Sequence, residues 1–194
     1  MKEKLLELMK ERWTVRKFKD KEVSEEDLQM IIEAGRWAPS GGNRQPWELI
    51  VVRDEETRFQ IAEIFSDAMG LKSRSERYVS PPVLIAVCVD KRVIQSYPDG
   101  MPAEFVVYAS IGAMVQNMML MATELGLGLS WGTQPQSVRD QLKDLLDIPD
   151  HLEIPDILQL GYPGQDSHLS KRRDPDDFVH EDRIDVDKLR DDIG

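Results

Sequence analysis

The sequence is poor in the residues that most often hold metals or carry thiol chemistry, with one cysteine and three histidines in 194 positions. Cys88 lies inside the apolar run Val83-Leu84-Ile85-Ala86-Val87-Cys88-Val89, where it reads as a small buried hydrophobe and not as a reactive thiol. His151, His168 and His180 are widely separated and share no ligand spacing with Cys88, so no metal site is expected. Positive charge is scarce as well. With 25 Lys and Arg against 36 Asp and Glu, a formal net charge of -11 and a pI near 4.8, the surface as a whole repels nucleic acid and anionic membranes. Internal repeats and low-complexity segments are lacking. Met1 leads through Lys2, Glu3 and Lys4 into a short amphipathic stretch without the uninterrupted apolar region of a secretory signal, and the expected location is cytoplasmic.

What is present suits one domain: 22.3 kDa with 41% hydrophobic residues can bury one substantial core. Leu5, Leu6, Leu8 and Met9 predict a first helix ending before Trp13. Ser24 caps a second, with Leu28, Ile31, Ile32 and Gly35 along one face, stopped by Pro39. Strands are expected at Leu49–Arg53, Val83–Val89, Leu129–Trp131 and Ile157–Leu160, and further helices over residues 55–68 and from Pro135 to Leu146. Ala103 to Leu125 is long and apolar enough to suggest a membrane span. Glu104, Gln116, Asn117 and Glu124 make that costly, and Ala109, Ser110, Gly112 and Ala113 allow close packing, so a central helix shared with a partner subunit fits better. Met114, Met118, Met119 and Met121 read as adaptable packing on that helix. Gly126 and Gly128 are expected to end it.

Two segments suggest chemistry. If Arg12-Trp13-Thr14-Val15-Arg16 is extended, Arg12, Thr14 and Arg16 project from one side and present two cations and a hydroxyl to an anion such as phosphate. Lys171 and Arg173 repeat the alternate spacing near the other end. Solvated charge explains either cluster alone; together, in an acidic chain, they make a composite anion site plausible. In Ala38-Pro39-Ser40-Gly41-Gly42-Asn43-Arg44-Gln45-Pro46-Trp47, Pro39 breaks a helix and two glycines permit close backbone approach to a flat ligand. A plain connection has the same composition.

Taken in order, Arg12 to Phe18, Ala38 to Trp47, Gln116-Asn117 with Gly126-Leu127-Gly128, and Leu160-Gly161-Tyr162-Pro163 followed by Lys171 and Arg173 resemble the nitroreductase family over roughly residues 8–182. The resemblance implies an α+β fold, with a central mixed or antiparallel sheet flanked by helices and a long buried central helix. It also implies an intertwined homodimer with FMN at its interface. Residues 1–175 would form the FMN-binding domain, and 176–194 a charged tail laid on the partner subunit. Carried over by position, Arg12, Trp13, Thr14 and Arg16 hold the phosphate and ribityl region, completed by Lys171 and Arg173. Pro39, Ser40 and Gly42, in the loop with Gly41 and Asn43, line the ring from the other subunit, and amides near Gly132 and Thr133 face its reactive edge. Two departures stand out: Trp13 replaces a more usual arginine or histidine, and Gly132-Thr133 follow Trp131 where a bulky aliphatic residue and then glycine are usual.

The reaction implied is electron transfer from NAD(P)H through FMN to a small acceptor such as a nitroaromatic, a quinone or a free flavin, in a ping-pong sequence, with no catalytic dyad on the protein. Tyr78, Tyr97 and Phe105 reach the substrate side if segments 69–82 and 92–102 cover the flavin; packing is their plainer role. Two other readings compete. Gly128-Leu129-Ser130-Trp131-Gly132 satisfies the G-x-S-x-G pattern of a serine hydrolase, with Asp147, Asp150 or Asp156 and His151, His168 or His180 available as partners, but no clear strand precedes it. A flavin carrier without turnover would share the same binding residues. Gly126-x-Gly128 with Gly132 lacks the spacing of a dinucleotide-binding fingerprint.

Overall fold

In the computed structural model, which describes residues 2–69 and 80–189, the charged first helix α1 (Lys2–Glu11) gives way at Arg12 to an extended strip. Helix α2 (Glu25–Arg36) is capped by Ser24, whose hydroxyl accepts from Asp27 N at 3.0 Å, and it buries Leu28, Ile31 and Gly35. It ends at Arg36, ahead of Pro39. After a short turn of 3-10 helix at Gly41–Asn43 come β1 (Trp47–Val52) and α3 (Glu55–Met69). The chain continues as β2 (Val83–Asp90), α4 (Lys91–Gln95), α5 (Ala103–Glu124), β3 (Gly128–Thr133), α6 (Gln136–Leu145) and β4 (Leu152–Gly161). The expected excursion at 69–82, with Tyr78, falls largely outside the described residues.

The four strands form one antiparallel sheet in the order β1-β2-β4-β3. Alternation sends Val83, Ile85, Val87 and Val89 to one face, where Leu129, Leu158 and Leu160 join them against α2 and α5. Leu84, Ala86 and Cys88 go to the other, with Ile157, against α3 and α6 through Ile61, Phe65, Val138 and Leu142. The sheet is therefore buried on both sides, which is why β2 reads as a continuous apolar run rather than an alternating one. Cys88 is fully buried, and burial pushes its thiol pKa up to about 11.

Helix α5 is the one helix among the described residues long and apolar enough to cross a membrane. It runs instead along the sheet, burying Val107, Ile111, Met114, Val115, Met118 and Ala122 at helical spacing. Gly35 of α2 meets Met114 and Met118, so the methionines do fill a helix contact. Gly126 N and Leu127 N close the end of α5 on Thr123 O and Ala122 O, at 3.0 and 2.8 Å.

Three features differ from the sequence-based expectation. Gly128 is not a helix terminator but the first residue of β3. The short helix α4 occupies part of the supposed loop at 92–102, capped by the Asp90 side chain on Arg92 N. Strand β4 starts at Leu152 and not at Ile157, because a bulge opposite Val87 and Val89 accommodates Pro155 and breaks the apolar alternation. In the tail, Phe178, Val179 and Ile184 are exposed on this chain, and residues 190–194 lie outside the described residues.

Candidate active site

The extended strip after α1 is tied down at two points. Thr14 bridges in parallel to Leu129 of β3, and Phe18 bridges antiparallel to Pro163, with Lys19 N on Tyr162 O (2.9 Å) and Gly164 N on Lys17 O (2.8 Å). Gly128 makes the first of these possible: a Cβ there would collide with the buried side chain of Val15, and without it the strip lies flat against β3. The second aligns the chain leaving β4 with the strip. Residues far apart in sequence thus meet in a small polar cavity of about 140 Å³ lined by Arg12, Trp13, Thr14, Arg16, His168, Ser170 and Arg172.

Arg12, Arg16 and Arg172 have no carboxylate within salt-bridge distance among the described residues, although the chain has an excess of acid. Arg172 donates only to the backbone oxygens of Ser170 and Lys171, at 3.2 and 3.4 Å. Burial and, next, repulsion from Arg172 lower the Arg12 pKa from its ordinary value. Three guanidinium groups held together without counter-charge are what an anion would relieve.

This cradle shares Arg12 and Thr14 with an adjoining second cavity of about 460 Å³ that is also lined by Gln116, Met119, Trp131 and Thr133. Its volume falls in the range of small-molecule sites, about 300–1,000 Å³. Trp131 is 39% exposed and its ring end approaches Gly112 of α5, so it forms a flat wall. Because β3 is the edge strand, its outer backbone groups beyond the Leu129 bridge have no sheet partner among the described residues. A further polar cavity of about 480 Å³, on the far side of Phe18, is a poorer anion site: Arg53 there already pairs with Glu25 (3.0 Å) and Arg58 donates to Pro81 O (2.9 Å).

The sequence-predicted residues divide into three groups. Arg12, Trp13, Thr14 and Arg16 come together with the C-terminal cation cluster, but the member that enters is Arg172. Lys171 lines neither cavity, and Arg173 turns away, donating to Asp177 O and lying over the Phe178 ring. The alternate-residue argument assumed an extended strand, and among the described residues 168–174 form none. Thr133 lines the larger cavity, while Gly132 belongs to β3 and its carbonyl accepts from the Gln134 side chain.

Pro39, Ser40, Gly41, Gly42 and Asn43 form a compact loop elsewhere. Gly41 N donates to Ser110 Oγ (3.3 Å), Tyr97 Oη donates to Gly41 O (2.9 Å), and Gly42 and Asn43 have φ of 61° and 53°. Tyr97 therefore buttresses the loop, with Arg44 stacked over it at 4.1 Å, while Phe105 is exposed. The loop sits against Val106 and Ser110, whereas the cavity uses Gln116 and Met119 on a different side of α5. One chain does not bring loop and cavity together.

Gln116, Met119, Trp131 and Arg172 were not selected from sequence as site residues. Gln116 had a signal, as a polar residue in an apolar helix; the others had none beyond their motifs. Ser130 is fully buried in the middle of β3, opposite Gln159, and lies on no strand-to-helix turn. Asp156 pairs in register with Thr133 and so faces the opposite side of the sheet from Ser130. The hydrolase reading thus loses both its nucleophile geometry and its best-buried acid.

Among the described residues no carboxylate lines the cation cradle or the flat-walled cavity beside it, and the protein is an NAD(P)H-dependent oxidoreductase with FMN as its cofactor. The chain belongs to the nitroreductase family, whose model matches residues 9–162. It is 33% identical over 184 residues to an Archaeoglobus fulgidus protein provisionally named NADH dehydrogenase/NAD(P)H nitroreductase, covering 94% of this chain and 97% of that one. It is 27% identical to the NADPH-flavin oxidoreductase of Vibrio harveyi, over 87% of this chain and 69% of the relative. A crystal structure from Parabacteroides distasonis, also provisionally named NADH dehydrogenase/NAD(P)H nitroreductase, superposes with a TM-score of 0.76 at 28% identity, covering 92% of this chain and 98% of that one.

Proposed function

We propose that this protein holds FMN with its phosphate on Arg12, Arg16 and Arg172 and its ring in the cavity walled by Trp131 and Thr133, and passes electrons from NAD(P)H to a small acceptor in the cytoplasm. The observation that carries this reading is the uncompensated arginine trio at the mouth of that cavity. The cavity fits in kind as well as size, because Thr14 and Gln116 offer hydrogen bonds to a polyol chain between the cations and the aromatic wall. FMN, when bound, supplies the hydride and electron transfer. The chain's own residues would bind and orient it: the guanidinium groups would anchor the phosphate, and Trp131 would wall the ring. The open side of the cavity admits donor and acceptor in turn, which gives ping-pong kinetics, with nitroaromatics, quinones and free flavins as the acceptor classes.

The same reading takes the active form to be a homodimer. Leu5, Leu6 and Met9 on α1, Met30 on α2 and Trp37 just past its end, and Phe105 on α5 are exposed on the single chain. Apolar grooves between these helices are lined by Met30, Ala34, Trp37 and Met121, and by Leu5, Leu8 and Leu120. Only 44% of the apolar window of α5 is buried, so much of it needs cover. A second copy supplies that cover and can bring the partner subunit's Pro39, Ser40 and Gly42 to the ring. The tail has the exposed side chains of Phe178, Val179 and Ile184 to lay across the partner.

The test is an absorbance spectrum of the purified protein, repeated after anaerobic addition of NADH or NADPH, with the mass in solution measured in parallel. Flavin bands that bleach, on a species of twice 22.3 kDa, are expected. A colourless protein that takes up no added FMN refutes the reading.

A further inference from the structure

Asp156 is 5% exposed. In register with Thr133 and two residues before Leu158, it lies on the same sheet face as Thr133 and Trp131, two residues that wall the larger cavity. Thr133 stands opposite it in register, so the Thr133 hydroxyl and the Trp131 indole N–H are the side-chain donors that these two residues bring to its face of the sheet. Its Oδ1 is buried with no hydrogen-bond partner among the described residues. The neighbouring groups do not complete the arrangement. Arg139 of α6 attracts Asp156 but is salt-bridged to Glu153 at 2.7 Å, and the other Glu153 oxygen accepts from Tyr108 of α5 at 3.2 Å. From β2 the register partner is the apolar Val87. A buried carboxylate with one idle oxygen and no cation of its own is costly to keep charged.

We propose that Asp156 is a positioning residue of the cavity, which by taking up or releasing one proton decides whether the Thr133 hydroxyl is turned inward to Asp156 or outward to a carbonyl acceptor of the bound ligand. This rests on the FMN reading for the ligand, but the switch itself belongs to the wall. A threonine hydroxyl has one hydrogen to give. The charged carboxylate claims it and also draws in the indole N–H. Once protonated, with the proton taken from bulk water and seated on Oδ1, Asp156 needs the Thr133 hydrogen less, and that hydrogen becomes free to donate into the cavity. Burial is the main cause that raises the Asp156 pKa, while the donors Thr133 and Trp131 and the charge of Arg139 oppose it. The exchange therefore falls at a higher pH than for an ordinary carboxyl, about 3.9. One hydrogen bond gained by the ligand corresponds to about three- to tenfold in affinity.

The experiment follows the Trp131 indole N–H by NMR across pH in the FMN-free protein, assigned through Trp131→Phe, and measures FMN affinity over the same range. In the wild type the indole signal should titrate above the usual carboxylate range, and FMN should bind about three- to tenfold more tightly on the acid side of the same midpoint. The near-isosteric Asp156→Asn should abolish both dependences. Thr133→Val, which removes one donor to the charged form, should move the indole midpoint upward and abolish the change in FMN affinity. An indole that does not titrate in a protein that binds FMN overturns the role of Asp156 alone, as does an FMN affinity that ignores the midpoint. A titrating indole, flat in Asp156→Asn, in a protein that binds no FMN at any pH overturns the FMN reading and supports the switch.

Discussion

The placement of Arg172 can be tested directly against its neighbours. Lys171, Arg172 and Arg173 are consecutive cations, all exposed on the single chain, and only Arg172 lines the cradle with Arg12 and Arg16. Removing one charge-assisted hydrogen bond to a phosphate costs about 1.5–3 kcal/mol, or about 10- to 150-fold in Kd. Because Arg172 is solvent-exposed, the lower end applies, and Arg172→Ala should weaken FMN binding about tenfold at low salt. Lys171→Ala and Arg173→Ala should each change it less than about threefold, through long-range charge alone. The assay is titration of the FMN-free protein with FMN, followed by quenching of flavin fluorescence. Riboflavin serves as control: it lacks the phosphate, so its affinity should be the same in the wild type and in Arg172→Ala. Raising the salt from about 0.1 M to about 1 M, which shortens the screening length from about 10 Å to about 3 Å, should shrink the Arg172 effect. Unchanged FMN binding by Arg172→Ala, with a tenfold loss in Arg173→Ala or Lys171→Ala, would refute the placement. Equal losses for FMN and riboflavin would refute the phosphate role.

Three further outcomes are expected. Gly128→Ala sets a methyl against buried Val15 and should cost about 1–3 kcal/mol in denaturant unfolding; it should also weaken FMN binding, since the strip bearing Arg12 and Arg16 must shift, and unaltered stability would show that the strip is not packed as described. Cys88, buried with its thiol pKa raised to about 11, should resist a thiol reagent at about pH 8 until the protein unfolds, whereas stoichiometric labelling of the native protein would contradict its burial. Asp156 has a folded-state pKa raised above the unfolded value of about 3.9. Its effect on stability is therefore absent below the unfolded value and increasingly unfavourable as pH rises through the folded one. Asp156→Asn should gain stability relative to the wild type as pH rises above about 4, and a pH-independent difference would refute the burial argument.

Local signals carried much of the architecture. Ser24 and Asp27 mark the start of α2, helical spacing along α5 identifies its buried face, and the unbroken Val83–Val89 run is legible because both faces of that strand are covered. Two other signals misled where a backbone feature answers to something distant. Gly128 resembles a helix terminator in sequence, yet its lack of a side chain serves Val15, more than a hundred positions earlier. Charged and proline residues over Leu152–Asp156 hide half of β4, because a bulge absorbs them.

The sequence by itself determined that a cation cluster and a glycine-rich loop exist, which family they resemble, and that cysteine occurs once and histidine three times. Those are statements about residue types and order along the chain. Only the tertiary structure decided which cation enters the site, since Lys171, Arg172 and Arg173 differ in where an irregular backbone points them and not in charge. The same holds for Ser130 and Asp156. Pairing of β3 with β4 sends one to the α3–α6 face and the other to the face that carries Thr133 and Trp131. A one-residue step along a strand reverses the side on which a group does its chemistry.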